Sequence, residues 1–259
     1  MSAYKFSLFL HVGLGVAALA TYWVAALAKK GSAPHKLAGK AYVLVMLGVL
    51  LPAIPLSWRA LQHFSVTFGL FLFYLLLITA TALWRAWTAV RRKRDFAAYA
   101  GAGFRRLGWA NIGGGAAVLG IGAATAQPVL LGFSLVGILG GRGMLKLAER
   151  GPAHPRWWMA EHIGAVLGCG VATHIAFLLI GLPRLLPAGW NGPALQTFSW
   201  LAPLAVAGLA GVWLNRKYLP APAQKSASVA QPSPVPRVIT RSVSSTVPAG
   251  MVGSDLSCS

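Results

Sequence analysis

The sequence predicts an all-α fold, a polytopic bundle of about seven transmembrane helices. Hydrophobic residues form 56% of the chain and charged residues only 10%, whereas soluble domains carry about 25% charged residues. The apolar runs are repeatedly about 20 residues long, enough for a helix to cross a hydrocarbon core of ~30 Å. Strands of a transmembrane barrel would alternate apolar and polar residues over about 10 positions, and these runs do not. Composition, run length and the lack of alternation therefore all indicate helices.

The first apolar run, 6–28, follows a short basic N-terminus and resembles a signal peptide. It is too long for a signal-peptide core and ends in Lys29 and Lys30, so we interpret it as a retained helix. Six further runs are predicted to span the membrane, at 39–58, 66–88, 107–126, 129–147, 158–181 and 198–214. In the second run, Pro52 and Pro55 are expected to kink the helix.

The chain divides into two parts. Residues 1–217 are predicted to form the seven-helix transmembrane domain. Residues 218–259 are rich in Ser, Pro, Val and Ala with scattered Lys and Arg, and such a segment lacks an apolar pattern that could offset the entropy of ordering. We expect it to be a disordered cytoplasmic tail.

The basic residues predict the orientation of the bundle. The formal net charge is +19, which would suggest nucleic-acid binding if it formed a basic face on a soluble fold. Here the basic residues lie between apolar runs, and with seven spans all but Lys5, Arg59 and Arg184 fall on one side. The positive-inside rule then places the N-terminus outside and the C-terminus inside. We expect a protein of the bacterial inner membrane whose partner is the lipid bilayer and not a nucleic acid.

Carboxylates are scarce, and this excludes several classes of enzyme. The chain has 4 acidic residues, with no pair placed for glycosidase chemistry. It has no GxSxG elbow, Walker A loop, HExxH or CxxC motif, so soluble-type hydrolases and ATP-driven pumps are poor candidates. The 2 cysteines form no disulfide framework, and Cys169 is interpreted as a small packing residue.

The histidines are the most informative residues, because ionisable groups at membrane depth are costly and often functional. His11 and His174 are predicted at matching depths near the outer ends of the first and sixth spans. Two imidazoles that face each other across helices could ligate the iron of a b-type haem or bind another transition metal. His11 and His174 are therefore the candidate axial ligands, and His162 and His35, near the inner side, are weaker candidates.

Helix geometry favours one haem over two. His162 and His174 are 12 residues apart, about 1200° of helix rotation, so they lie roughly 120° off a common face. Two haems stacked along one helix would need both rings on nearly the same side. The alternative for each ring is a hydrogen bond to a backbone carbonyl, Ser or Thr. His154 is expected to be interfacial, and His63 in an outer loop to be solvated.

Glu161 is the acid at the edge of an apolar run, and two interpretations are open. It could form a proton-handling pair with His162 at the inner side, or it could pair with a loop arginine such as Arg156, which we favour. In the same span, Gly164 and Gly168 have the spacing of a close-packing helix face.

Two segments resemble a family of uncharacterised bacterial multi-pass membrane proteins. They are His35-Lys36-x-x-Gly39-Lys40-x-Tyr42 at the start of the second span and EHIGAVLGCGVATHIAF at 161–177. The family has similar segments, H-(R/K)-x-x-G-(R/K)-x-Y and a His-led helix, and the resemblance covers roughly residues 5–215. It implies a multi-pass bundle but no settled activity. The set of histidines is also similar to that of b-type cytochromes and ferric reductases, by analogy alone.

Three functions fit these residues. The leading hypothesis is a redox-type membrane protein that binds haem b or a metal through His11 and His174. The first alternative is a small-solute or proton-coupled transporter that uses Glu161 and His162 at its inner mouth. The second alternative is a non-catalytic membrane assembly protein. The sequence leaves open whether the chain is an enzyme, forms a homo-oligomer or has a membrane redox partner.

Overall fold

The computed structural model describes residues 3–190 and 192–219, and this part of the chain is helical without strands. Its α-helices are α1 (Ala3–Leu27), α2 (Ala33–His63), α3 (Val66–Arg91), α4 (Phe96–Tyr99), α5 (Ala102–Thr125), α6 (Pro128–Arg150), α7 (Trp157–Ile180), α8 (Leu182–Leu185) and α9 (Pro193–Tyr218). The described residues contain seven candidate spans that are long and apolar enough to cross a membrane, and the sixth of them, Trp157–Leu185, joins α7 and α8. The predicted helical class and the number of long apolar helices are confirmed. The predicted tail lies outside the described residues from 220 onward.

The helices extend further than the apolar runs predict. The largest difference is in α2, which begins at Ala33 and ends at His63, where the sequence predicts 39–58. Pro52 and Pro55 both lie inside this continuous helix. The segment 89–106, between the third and fourth predicted runs, is also mostly helical, because it contains the end of α3, the whole of α4 and the start of α5.

Local sequence accounts for where several helices begin. The side chains of Ser32 and Ser65 accept hydrogen bonds from backbone N–H groups three residues ahead and cap α2 and α3. The carboxylate of Asp95 accepts from the N–H of Ala98 at 2.8 Å and caps α4. Such caps satisfy N–H groups that have no partner within the helix. Proline stands in the first turn of α2, α6 and α9, where its missing N–H is not needed.

Four of the long helices form a unit that positions the candidate site. α2 and α7 each pack against α1 and against α3. This arrangement sets α2 and α7 diagonally across the centre of a four-helix unit. The end of α3 meets the start of α7, so these two helices are antiparallel. We call the end of the bundle where α3 finishes and α7 begins the basic end.

The basic end holds most of the positive charge. Among the described Lys and Arg residues, all except Lys5, Arg59 and Arg184 lie at this end or within about three helical turns of it. The sequence predicts the same asymmetry. α1 and α9 bury few of their residues against the rest of the chain, so their apolar faces are open to lipid.

The remaining long helices pack closely through glycines and a buried tyrosine. α5 and α6 form a hairpin, and a Cβ atom added at Gly115 on α5 would lie 2.8 Å from the carbonyl oxygen of Ser134 on α6. Tyr74 of α3 donates its hydroxyl proton to the carbonyl of Phe133 at 2.7 Å and accepts from the N–H of Gly137 at 2.9 Å. In an uninterrupted helix, the N–H of Gly137 would donate directly to the carbonyl of Phe133, four residues earlier. The hydroxyl therefore ties α3 into the backbone of α6.

Candidate functional site

A polar seam runs between α2 and α7 through the centre of the four-helix unit. Each helix contributes three residues with a polar group or a sulfur atom, spaced by seven and then four positions. This spacing keeps them within about 20° of a common helix face. The members of the seam are His35, Tyr42 and Met46 on α2, and His162, Cys169 and Thr173 on α7. Because α2 and α7 run in the same direction from the basic end, the two histidines lie at the end of the seam nearest the basic end, which we call the inner end of the seam.

The middle of the seam is closed by a hydrogen-bond chain. The hydroxyl of Thr173 donates to the carbonyl of Cys169 at 3.1 Å and so accepts from the hydroxyl of Tyr42 at 3.2 Å. Met46 places its sulfur 3.8 Å from the same Thr173 oxygen. Cys169 is fully buried, which agrees with its interpretation as a packing residue. This part of the seam holds α2 against α7.

The two histidines at the inner end have the same hydrogen-bonding pattern. Nδ1 of His35 lies 2.9 Å from the carbonyl of Ala25 on α1, and Nδ1 of His162 lies 3.0 Å from the carbonyl of Ala86 on α3. A carbonyl only accepts, so each Nδ1 carries a proton and each neutral ring keeps a lone pair on Nε2. Within 3–190 and 192–219, neither Nε2 has a hydrogen-bond partner. Two imidazole lone pairs are therefore available at this end of the unit.

Lys30 adds a positive charge beside these rings. Its ammonium donates to the carbonyls of Ala25 and Ala26 at 3.2 and 2.5 Å, which satisfies acceptors left open at the end of α1. Burial lowers the pKa of Lys30. The positive charge of Lys30 also acts on the His162 ring. The inner end of the seam is thus a site with two imidazoles and one ammonium.

Glu161, the residue before His162 on α7, also binds α3. Its Oε2 accepts hydrogen bonds from Nη2 and Nε of Arg85 at 2.8 and 3.1 Å and from the hydroxyl of Tyr99 at 2.5 Å. The expectation that Glu161 pairs with Arg156 is wrong, because the guanidinium of Arg156 lies against the carbonyl of Tyr218. The side chains of Arg85 and Glu161 are only 19% and 14% exposed. The carboxylate is therefore a neutralised, bridging group between helices.

Aromatic rings enclose this ion pair. Tyr99 is fully buried, and its ring lies 4.9 Å from that of Trp157 and 4.8 Å from that of Phe104, between centroids. Trp84 stacks on the Tyr99 ring with 6.1 Å between centroids. Burial, followed by the negative charge of Glu161, raises the pKa of Tyr99 above its usual range. The phenol therefore stays protonated and donates to the carboxylate.

His11 and His174 do not come together in the structure. Nδ1 of His11 donates to the carbonyl of Val49 on α2 at 3.0 Å. His174 instead contacts Trp23, near the C-terminal end of α1. The 12 residues from His11 to Trp23 correspond to about 18 Å along the helix. The expected match in depth is not observed, because α1 is shifted along α7. The role of His11 and His174 as axial ligands stays a prediction that this geometry does not favour.

Both ring nitrogens of His174 are already engaged. Nδ1 donates to the carbonyl of Gly170 at 2.7 Å, and Nε2 accepts from the indole N–H of Trp23 at 3.1 Å. The rings of Tyr22 and Trp23 meet the imidazole edge-on at 5.4 and 5.6 Å. His174 thus has the hydrogen-bonded packing role that the sequence offers as the alternative to a ligand.

The remaining histidines lie at the ends of helices. His63 is the exposed last residue of α2, and Nδ1 of His154 accepts from the backbone N–H of Arg156 at 2.9 Å. Across the described ranges, no group of three or more His, Cys, Asp or Glu side chains is placed to hold a metal ion. A protein-only metal centre therefore has no support in this part of the chain.

No protein-family model, curated protein or solved structure matches this chain. The resemblance of residues 5–215 to a bacterial membrane-protein family therefore stays a prediction. What can be said of function rests on the geometry of the four-helix unit.

Proposed function

We propose that this multi-pass membrane protein binds a b-type haem for redox chemistry, with His35 and His162 as the two axial ligands. The observation that supports this most is the matched state of the two rings. Each holds Nδ1–H on a backbone carbonyl of a neighbouring helix and keeps the Nε2 lone pair unpaired. A hydrogen bond on the second nitrogen is the usual way in which a metal-ligating histidine is oriented and made more basic.

The donor set fits a haem better than a bare metal ion. Two imidazoles cannot complete the coordination of a transition metal, and the described residues offer no third ligand. A porphyrin supplies four nitrogens itself and needs only axial ligands from the protein. The positions of the two histidines, on diagonal helices of a four-helix unit, are also where helix bundles build cofactor sites.

Two neighbouring residues support a flat, anionic cofactor. Gly39 follows His35 by one helical turn, and a Cβ atom added there would meet nothing within 4 Å. The open space leaves room for a ring next to the imidazole. Lys30, on the other side of His35 in the chain, supplies a positive charge that complements a propionate group.

Absorbance of the purified protein tests this proposal. Protein produced in cells supplied with a haem precursor is expected to show a Soret band, and either His35→Ala or His162→Ala is expected to remove it. His11→Ala and His174→Ala are the matched controls, each removing a part-buried imidazole from the same unit, and both should retain the band. Magnetic circular dichroism of the iron checks for bis-histidine ligation.

Two outcomes would refute the proposal. One is a folded wild-type protein that stays colourless when haem is supplied. The other is a Soret band that survives in both His35→Ala and His162→Ala. If the Soret band is lost in His11→Ala or His174→Ala and kept in the other variants, the haem ligands would be assigned to His11 and His174, as the sequence predicts.

A second candidate is proton-coupled transport of a small solute, and the buried ion pair favours it. Arg85, Tyr99 and Glu161 bring a guanidinium, a phenol and a carboxylate together, and Glu161 is next to His162 in the chain. Protonation of Glu161 would release the Arg85 charge and change the packing of α3 on α7. Proton or solute flux in liposomes that is lost in Glu161→Gln supports this candidate, and equal flux in the variant rejects it.

We also propose that the protein lies in a bacterial inner membrane with the basic end in the cytoplasm. The support is the concentration of Lys and Arg at one end of the bundle, as the positive-inside rule requires. A periplasmic reporter fused before α1 should be active, and the same reporter fused after α9 should be inactive. The reverse result would invert the orientation.

A further inference from the structure

Three cations near the basic end contact aromatic or backbone groups, two of them on a neighbouring helix and Lys217 on its own helix. Lys93, just after α3, places its ammonium 5.7 Å from the ring centre of Trp158 on α7. Lys217 at the end of α9 lies 4.9 Å from the ring centre of Trp213. Cations over indole faces are attracted by the ring quadrupole. These contacts fix the positions of side chains that would otherwise be mobile.

Arg156 connects the two contacts. It lies two residues before Trp158, and its guanidinium reaches the carbonyl of Tyr218 at 3.5 Å. Lys93, Arg156 and Lys217 therefore lie at the neighbouring ends of α3, α7 and α9. We call these three cations, with Trp158 and Trp213, the basic ridge.

The ridge has no counter-charge in the described part of the chain. Asp95 caps α4 and Glu161 binds Arg85. Within 3–190 and 192–219, no carboxylate lies within ion-pair distance of the three ridge cations. The three cations are all exposed, and so is Trp213. The positive charge is therefore open to a partner from outside the described chain.

We infer that the basic ridge binds the headgroup of an anionic phospholipid. The ridge lies at the ends of apolar helices, where headgroups are found, and indoles prefer this depth. A guanidinium binds phosphate oxygens in a bidentate way, and lysines add point charges on either side. The adjacent apolar faces of α7 and α9 would contact the acyl chains. A soluble phosphate offers the charge but cannot use these faces.

Native mass spectrometry of the full chain in detergent tests the inference. Phosphatidylglycerol and phosphatidylcholine are titrated separately, and the apparent affinity of the first bound lipid is measured. The ridge variant is Lys93→Gln/Arg156→Gln/Lys217→Gln. Its control, Arg94→Gln/Arg106→Gln/Arg142→Gln, removes the same charge from the same end of the bundle but from residues with no aromatic contact in the described chain.

The ridge variant is expected to bind phosphatidylglycerol about tenfold or more weakly than the wild type, with phosphatidylcholine unaffected. The control should lose less than about twofold, because long-range attraction by exposed charges is screened. Equal losses in the two variants would show a general effect of charge and overturn the proposal. So would competition by soluble glycerol phosphate at concentrations near those of the lipid.

A second variant keeps the test valid if the triple substitution misfolds. Trp158→Leu/Trp213→Leu retains every charge and removes both indoles. It is expected to weaken phosphatidylglycerol binding by about fivefold, since the cations lose their positions. Unchanged binding in this variant, with helical circular dichroism intact, would show that the ridge is not an organised site.

Discussion

Arg85 and Glu161 form an ion pair that joins α3 to α7, with Nη2 of the arginine 2.8 Å from Oε2 of the carboxylate. Each is the one charged residue of its apolar run as predicted, 66–88 and 158–181. Taking two charges out of water is costly, and breaking a buried pair leaves the surviving charge uncompensated. The pair therefore constrains how α3 and α7 can pack.

Removing one partner is expected to destabilise the protein more than removing both. Arg85→Gln or Glu161→Gln alone should lower the free energy of unfolding by about 3 kcal/mol, because the remaining charge is left buried. The double variant should lose less than either single variant, because it leaves no charge buried alone. Reversible unfolding in mixed micelles measures all four proteins. Arg156→Gln, which removes the partner expected from sequence, is the control and should change stability by under about 0.5 kcal/mol. Additive losses would mean that the two side chains do not interact.

Tyr99 predicts a stability change at alkaline pH. Its folded pKa is raised by burial and by Glu161, above the value of about 10 for a free tyrosine. The folded state therefore holds its proton more tightly than the unfolded state, and this contribution is complete below pH of about 10 and is lost as the pH rises toward the folded pKa. Above a pH of about 10, the free energy of unfolding of the wild type should fall more steeply with pH than that of Tyr99→Phe. Unfolding midpoints from neutral to alkaline pH provide the measurement, and parallel curves would contradict the prediction.

Tyr74 predicts a loss of stability without a change in side-chain volume. Tyr74→Phe removes both hydrogen bonds to the backbone of α6, and we expect a cost of about 1–3 kcal/mol. Tyr4→Phe is the matched control, because the ring of Tyr4 keeps its contact with Arg59, whose guanidinium carbon lies 4.6 Å from the ring centre. Equal stabilities of the two variants would show that, without the Tyr74 hydroxyl, α6 restores the hydrogen bond between Phe133 and Gly137 at no cost in stability.

The sequence predicts the spans because each is a long apolar run, and run length alone determines whether a helix can cross the membrane. It does not predict how far one helix is shifted along another. The depths of His11 and His174 within their own spans are nearly as predicted, but α1 meets α7 at Trp23 and not at His11. Depth in a span is local information, whereas helix register depends on the packing of all neighbours.

The partner of Glu161 shows what a closer examination of the sequence could find. Arg85 lies between Trp84 and Trp87 and is naturally interpreted as an interfacial residue. A single acid in one apolar run and a single base in another run of opposite direction would be a reason to pair them. No comparable signal in the sequence points to Tyr99, since its position depends on how the short helix α4 packs against α3 and α7.

Glycine substitutions in α7 test which face of this helix is closely packed. The spacing of Gly164 and Gly168 predicts the packed face, but a Cβ atom added at Gly164 would meet nothing within 4 Å. At Gly170 the added atom would lie 2.5 Å from the hydroxyl oxygen of Tyr22. Gly170→Ala should therefore cost about 1–3 kcal/mol through overpacking. Gly164→Ala should be neutral or should gain up to about 1 kcal/mol from the higher helix propensity of alanine.

Unfolding in mixed micelles distinguishes the two packing arrangements, because the variants add the same methyl group to one helix six residues apart. Gly170→Ala should cost less in a Tyr22→Ala background than in the wild type, since the ring that the methyl group meets has gone. A larger loss at Gly164 than at Gly170 would place a neighbouring helix against the other face of α7. Around Gly164 that face is open in the described chain, so such a result would require a second copy or another partner to pack there.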